Sequence, residues 1–173
     1  MRFSKEVHFS KTPSIYYTDK VIKYIRDSYF SSKKPVIDKI DIAIHIRRGD
    51  INKNSERWLN NKVYVKIINK LKKIYPQYTI TIFSEGTYKD FKDLGLEKKC
   101  FKLNKNIFKT FHSLVSSKVL IMGLSSFSYC AGIINSNTVY HYDTLWHKKL
   151  DHWLKISDLI GSSNLEMFTP LKI

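Results

Sequence analysis

Residues 42–50 read I-A-I-H-I-R-R-G-D, an apolar run that ends in two arginines, a glycine and an aspartate. Alternating branched apolar side chains favour a buried strand, and the Gly-Asp pair predicts a turn after it. In open α/β sheets, ligands bind outside the carboxyl ends of the strands. Arg47 and Arg48 are therefore expected at a ligand site. Because arginine forks match phosphate oxygens and keep their charge, the pair indicates a phosphorylated ligand.

The rest of the chain alternates between helical and extended apolar spacing. Strands are expected at residues 40–46, 78–83, 100–103, 119–124 and 138–142. Helices are expected at residues 16–30, 62–75, 87–94, 107–117 and 127–134, followed by a tail of low regularity from residue 161. This alternation predicts an α/β fold, a Rossmann-like parallel sheet with flanking helices. We divide the chain into an N-terminal strand/helix segment, residues 1–38, and an α/β domain, residues 39–173.

Composition is typical of a soluble globular protein, with 43% hydrophobic and 26% charged residues in a chain of 173. No apolar window approaches the roughly 18 to 20 residues that a transmembrane helix needs. The N-terminus lacks the apolar core of a secretory signal, so we expect a cytoplasmic protein. Cys100 and Cys130 are isolated in sequence, and we expect both to be reduced and buried.

The chain carries 30 Lys+Arg against 15 Asp+Glu, a formal net charge of +15. Such an excess suits nucleic acid, an anionic membrane or a polyphosphate-bearing substrate. Most of the charge is lysine spread among Ile, Asn and Tyr, as in Lys62, Lys66 and Lys70. No compact basic cluster with interleaved aromatic residues occurs. We therefore expect a solvated lysine surface and no specific nucleic-acid partner.

A second segment that could bind an anion lies between a predicted strand and a predicted helix. It consists of Ser125, Ser126, Phe127 and Ser128. A hydroxyl at this junction caps the helix, and the first turn of a helix presents backbone N–H groups to an anion. The serines could serve the cap alone, and the arginines could form only an ion pair at the strand end. The two segments together, at neighbouring strand ends, favour phosphate binding.

Other polar groups follow strands as well. Ser84 and Glu85 end the second strand, where Glu85 could accept a hydrogen bond from a sugar or a base, or be solvated. His45 could face a ligand or be a satisfied core side chain, and Trp146 could stack on a sugar or pack in the core. The sequence contains no P-loop, no G-x-G-x-x-G fingerprint, no zinc-type histidine spacing and no D-x-D. A diphosphate would therefore be held by arginine, hydroxyl and backbone amide groups without a metal.

Several of these segments resemble one family. H-I-R-R-G-D at residues 45–50 and S-S-F-S at 125–128 are similar to the H-x-R-R-x-D and S-S/T-F-S segments of α-1,2-fucosyltransferase-type glycosyltransferases and their α-1,6 relatives. F-S-E at residues 83–85, F-H-S-L-V at 111–115 and W-H at 146–147 also resemble that family. The first motif is fairly specific, and the others gain weight from their order along the chain.

The resemblance implies a GT-B-like nucleotide-sugar half, with metal-independent, inverting transfer of fucose from GDP-fucose to a glycan hydroxyl. It implies that Arg47 contacts the donor diphosphate, that His45 lies by the guanosine and that Asp50 holds the arginine loop. It assigns the β-phosphate to Ser126, Phe127 and Ser128. Arg48, Ser84 and Ser125 complete the expected donor-binding set. Glu85 or Asp50 is expected to be the base that activates the acceptor hydroxyl.

The chain departs from the family in two ways. Lys109 stands where relatives often place an acid that could read the guanine edge, so the base of the donor is left open. Only one Rossmann-like half is visible, so residues 1–38 are expected to be a reduced acceptor part, unless acceptor binding comes from elsewhere. The alternative to an enzyme is a non-catalytic module that binds a nucleotide or a glycan.

Overall fold

The computed structural model describes residues 17–144 and 149–161, which form a six-stranded sheet of parallel strands in the order β3-β2-β1-β4-β5-β6. The strands are β1 (Ile42–His45), β2 (Ile80–Ser84), β3 (Phe101–Leu103), β4 (Val119–Ile121), β5 (Thr138–His141) and β6 (Leu154–Lys155). The predicted α/β, Rossmann-like parallel sheet is confirmed. The predicted Trp146 and His147 lie outside the described residues.

In the described ranges, five α-helices precede, connect or follow these strands. They are α1 (Asp19–Ser31), α2 (Asn61–Ile74), α3 (Ile107–Ser116), α4 (Ser126–Ile134) and α5 (Ile156–Ile160), with 3₁₀ helices at Tyr88–Leu94 and Lys98–Cys100. Contacts divide the α-helices into two groups, α2 with α5 and α1 with α3 and α4. Right-handed crossovers on the two sides of β1 place these groups on opposite faces of the sheet.

Most of the expected elements are present, with shifted ends. The expected strand at residues 119–124 stops at Ile121, because the chain turns at Gly123 toward α4. The sequence did not predict β6 or α5. β6 contains two residues, one of them exposed, so it has no apolar alternation that a sequence pattern can show.

The centre of the sheet explains the apolar run of the first strand. Ile42, Ala43 and Ile44 of β1 are fully buried, and β1 pairs with β2 on one side and with β4 on the other. Helices cover both faces of such a central parallel strand, so its residues are apolar without interruption.

Helix α1 is attached to the helices of the sheet domain by polar contacts. The Arg26 guanidinium donates to the carbonyls of Ile133 and Asn135 at the end of α4, each at 3.1 Å. The Tyr29 hydroxyl lies 2.9 Å from Nδ1 of His112 on α3. A cation at a helix C-terminus satisfies carbonyls that have no partner within the helix. The described part of the N-terminal segment therefore packs on the same layer as α3 and α4.

Two further expectations concern the thiols and the membrane. Both cysteines are free, but the prediction that they are buried is wrong: Cys130 is exposed and Cys100 is half-buried. Cys130 lies on the outer side of α4, and Cys100 ends a short 3₁₀ helix before the edge strand β3. Among the helices of residues 17–144 and 149–161, none is long and apolar enough to cross a bilayer.

Asn135 connects the ends of α3 and α4 inside the protein. Its side chain is fully buried, and its amide nitrogen donates to the carbonyls of Leu114 and Ser117 at 3.0 and 3.1 Å. Each carbonyl accepts a second hydrogen bond, from the Ser117 hydroxyl and from the Asn137 amide respectively. The loss of Asn135 therefore removes bonds without leaving these carbonyls wholly unpaired.

We expect Asn135→Ala to lower the free energy of unfolding by about 1 to 3 kcal/mol, because buried hydrogen bonds and packed volume are lost together. Urea denaturation followed by circular dichroism measures this change. Ser136→Ala, at an exposed position beside it, is the control and should change stability by less than ~0.5 kcal/mol. Equal effects of the two substitutions would contradict the role given to Asn135.

Candidate functional site

A cleft of about 570 Å³ opens at the carboxyl ends of the central strands. After β1 the chain crosses to β2, and after β4 it crosses to β5 on the opposite side. Ligands bind at such a switch point in open α/β sheets, because the diverging connections leave a crevice there. The cleft is lined by His45, Ile46, Arg47, Arg48, Asp50, Ser84, Glu85, Asn104, Lys105, Ile107, Thr110, Ser125 and Phe127.

Arg47 is held at the cleft by Asp50. The guanidinium donates from Nε to Oδ1 at 3.0 Å and from Nη2 to Oδ2 at 2.5 Å. This bidentate pair uses only part of the guanidinium fork, which carries further N–H donors. The hydrogen bonds from Arg47 lower the pKa of Asp50, which therefore stays ionised. Asp50 thus orients the Arg47 side chain, and the carboxylate is itself exposed.

Arg48 has a different environment. Its side chain is 6% exposed, and its guanidinium lies 3.7 Å from the ring centroid of Trp58. Nη2 donates to the Leu59 carbonyl and to Asn61 Oδ1, each at 2.9 Å. Asn61 in turn donates to the carbonyl of Asp90 and to the carboxylate of Asp93. Arg48 borders the cleft, but these bonds use its guanidinium to brace the loop that carries Arg47.

Gly49 brings the arginine loop against Glu85. Its φ is +76°, a left-handed conformation that favours glycine. A Cβ at this position would lie 2.5 Å from Cδ of Glu85 and closer still to Oε2. Arg47, Asp50 and Glu85, the three expected catalytic residues, therefore come together around one loop, and the charge of Glu85 acts on Arg47.

The turn between β4 and α4 forms another wall. Ser125 caps α4, since its hydroxyl accepts from the Phe127 N–H at 3.2 Å. The Ser128 side chain is fully buried, and its hydroxyl donates to the carbonyls of Gly123 and Ser125 and accepts from the Gly123 N–H. Ser125 and Phe127 line the cleft, whereas Ser128 stabilises the turn from inside and Ser126 is exposed beside it.

Aromatic contacts join three segments of the expected site. The Phe127 ring centroid lies 5.6 Å from that of His45 and 5.3 Å from that of Phe111. His45 belongs to the segment at residues 45–50, Phe127 to the segment at 125–128 and Phe111 to the segment at 111–115. The strand ends after β1 and β4 are therefore connected by packing as well as by the sheet.

His45 is neutral at physiological pH. Burial, with a smaller contribution from the charge of Arg47, lowers its pKa to about 4. Its Nδ1 is buried and has no hydrogen-bond partner in the described part of the chain. This side of the ring lies against Gly123, where a Cβ would approach the His45 carbonyl oxygen to 2.7 Å. Glycine at position 123 is thus required by the close approach of the two strand exits.

The loop after β2 is fixed by its neighbours. The Ser84 hydroxyl donates to the Ile46 carbonyl at 2.7 Å, which ties the end of β2 to β1. Asn104, at φ 52°, exchanges two hydrogen bonds with the backbone of Gly86. Ser84 therefore lines the cleft, while its hydroxyl donates its hydrogen bond within the protein.

Sequence reasoning missed four lining residues, Asn104, Lys105, Ile107 and Thr110. They follow β3 and open α3, and the available signal was the polar run at residues 104–106 directly after a strand. Across the described ranges, no group of three or more His, Cys, Asp and Glu side chains converges as a metal-binding set. The charged residues that line the cleft are Arg47, Arg48, Asp50, Glu85 and Lys105.

The low pKa of His45 makes stability depend on pH. An unfolded histidine binds a proton near pH 6.5, but folded His45 does so only near 4. Lowering the pH from 7 to 4 should therefore favour the unfolded state, and the His45 contribution should lower the free energy of unfolding by up to about 3 kcal/mol. Urea titrations at several pH values measure this change.

The variant His45→Gln should lack this part of the pH dependence. His152→Gln, which removes an exposed histidine, should keep the wild-type curve. Parallel curves for wild type and His45→Gln would show that His45 titrates normally in the folded protein.

Comparisons with known proteins reveal one distant structural likeness. No family model and no curated sequence matches the chain. Among solved structures, the chain is similar to E. coli heptosyltransferase WaaC with ADP-2-deoxy-2-fluoro heptose, with a TM-score of 0.43 and 11% sequence identity. The likeness covers 83% of this chain and 45% of that one, so the chain spans less than half of that structure's length.

Proposed function

We propose that the cleft binds the diphosphate of a nucleotide sugar and that the protein is a glycosyltransferase. The observation that carries this proposal is the convergence of Arg47 and the capped start of α4 on one cleft at the switch point of the sheet. The arginine fork and the first turn of the helix are both anion-binding groups. Such preorganised donors stabilise the negative charge that a leaving diphosphate gains during sugar transfer.

The proposed donor is GDP-fucose, transferred with inversion to a glycan hydroxyl and without a metal. This finer assignment rests on the resemblance of residues 45–50 and 125–128 to the fucosyltransferase motifs. Lys109, which replaces the acid of relatives, is not among the residues that line the cleft, so the base of the donor needs a direct test. Calorimetry with GDP, UDP and ADP separates a guanosine donor from the others.

Glu85 is the better of the two candidate bases. Both carboxylate oxygens of Asp50 accept hydrogen bonds from Arg47, which lower the pKa of Asp50 and weaken it as a base. Glu85 is exposed at the cleft and lies against Gly49. In the proposed reaction Glu85 takes the proton of the acceptor hydroxyl, the hydroxyl oxygen bonds to the anomeric carbon, and the bond from that carbon to the diphosphate breaks.

We expect Arg47→Ala to weaken GDP binding at least tenfold, since the loss of a charge-assisted hydrogen bond costs about 1.5 to 3 kcal/mol. Isothermal titration calorimetry measures the affinity, and circular dichroism should show an unchanged fold. Lys53→Ala removes a positive charge from the same loop at an exposed position and is the matched control. Equal GDP affinity in the Arg47 variant and the wild type would contradict the proposed site.

We expect Glu85→Gln to lower the turnover of GDP-fucose by about 100-fold or more while GDP affinity changes little, because a general base contributes to the reaction and not to binding. Release of fucose to water or to a glycan, followed by NMR, measures turnover. A wild-type protein that binds GDP-fucose to saturation and never releases fucose would instead be a binding module, the alternative to an enzyme.

A further inference from the structure

A second groove, of about 600 Å³, adjoins the nucleotide cleft. Lys105 and Thr110 line both, so the two lie side by side at the start of α3. The surface around this groove combines lysines with exposed apolar side chains, and we name it the basic–apolar face. Four of its residues line the groove, Val36, Lys102, Lys105 and Lys109. The other two, Ile107 and Phe108, lie between Lys105 and Lys109 in the chain.

The apolar members of this face are unusually exposed. Val36 is 89% exposed, Ile107 59% and Phe108 73%. Ile107 and Phe108 form the first turn of α3, between Lys105 and Lys109, and Val36 lines the groove together with these two lysines. Single exposed apolar residues are normal in proteins, but the adjacent pair Ile107 and Phe108, near a groove that Val36 lines, indicates a surface that binds another apolar surface.

The polar members of the face are positively charged. Lys102 forms an ion pair at 3.1 Å with Asp38, an acid that also lines the groove. Lys105 and Lys109 form no ion pair with any residue in the described ranges. Two uncompensated ammonium groups thus flank the exposed apolar side chains, within a chain of net charge +15. This surface is complementary to an apolar layer with a negatively charged boundary.

We propose that the basic–apolar face docks on the surface of an anionic lipid bilayer. Lysine and acidic residues are depleted in protein–protein interfaces, whereas membrane-surface segments combine lysine with phenylalanine and aliphatic side chains. Each lysine near an anionic leaflet is attracted to it, and an aromatic ring can enter the boundary between headgroups and acyl chains. The composition of the face therefore favours a lipid surface over a protein partner.

Docking on a bilayer would also define the class of acceptor for the glycosyl transfer, an inference that rests on the proposed function. Because Lys105 and Thr110 belong to both grooves, a bilayer against the basic–apolar face would lie beside the mouth of the nucleotide cleft. A hydroxyl carried by a membrane lipid or a lipid-linked glycan would then be the acceptor within reach.

The test is co-sedimentation of the full chain with vesicles. We expect binding to phosphatidylcholine vesicles that contain about 30% phosphatidylglycerol, weak binding to pure phosphatidylcholine, and release as salt screens the lysines. The double variant Val36→Ser with Phe108→Ser should lower the bound fraction at least fivefold. The control Ile74→Ser changes an apolar residue of α2 that is 51% exposed and should bind as the wild type does.

The proposal is overturned if the wild type does not bind the anionic vesicles, or if the double variant and Ile74→Ser bind equally well. A wild-type dimer that the double variant converts to a monomer, by light scattering, would likewise identify the face as a protein interface. Calorimetry with GDP on the same variants keeps the two proposals distinguishable. Neither Val36 nor Phe108 lines the nucleotide cleft, so GDP affinity should stay unchanged whether or not the vesicles bind.

Discussion

The pairing of β1 with β2 on one side and β4 on the other is the constraint on which the site depends. It places the exits of three strands side by side, although residues 47 and 125 are far apart in the chain. The connections diverge from this point and leave a cleft open between them. The close approach at Gly123, the Ser84 bond to Ile46 and the Phe127 contact with His45 all follow from this arrangement.

Two consecutive arginines serve the cleft in different ways. The buried Arg48 guanidinium stacks on Trp58 and donates hydrogen bonds to Leu59 and Asn61, so it stabilises the loop. Arg47 is oriented by an exposed carboxylate and keeps N–H donors that the ion pair does not use. Burial of one guanidinium thus positions its neighbour. A lysine at position 48 could not reproduce the stacked, forked contacts.

The surroundings of each titratable group in the cleft also determine which of them can accept a proton. Arg47 lowers the pKa of Asp50, and burial lowers that of His45, so neither group is suited to accept a proton at neutral pH and then release it. Glu85 is exposed beside the same loop and has the charge of Arg47 nearby. Under the proposed function, the loop orients a diphosphate with one residue and leaves the proton transfer to another.

The amino-acid sequence by itself determined the alternation of strands and helices, the strand exits that carry Arg47, Glu85 and Ser125, and the cap of α4, because these depend on local periodicity and turn chemistry. Only the tertiary structure decided the strand order, the burial of Arg48 and Ser128, and the entry of Asn104 and Lys105 into the cleft. These features depend on which elements pack together in three dimensions. Residues next to each other in the chain, such as Arg47 and Arg48, can therefore have different surroundings. The two-residue strand β6 has no apolar alternation of its own, and it is a strand because it pairs with β5.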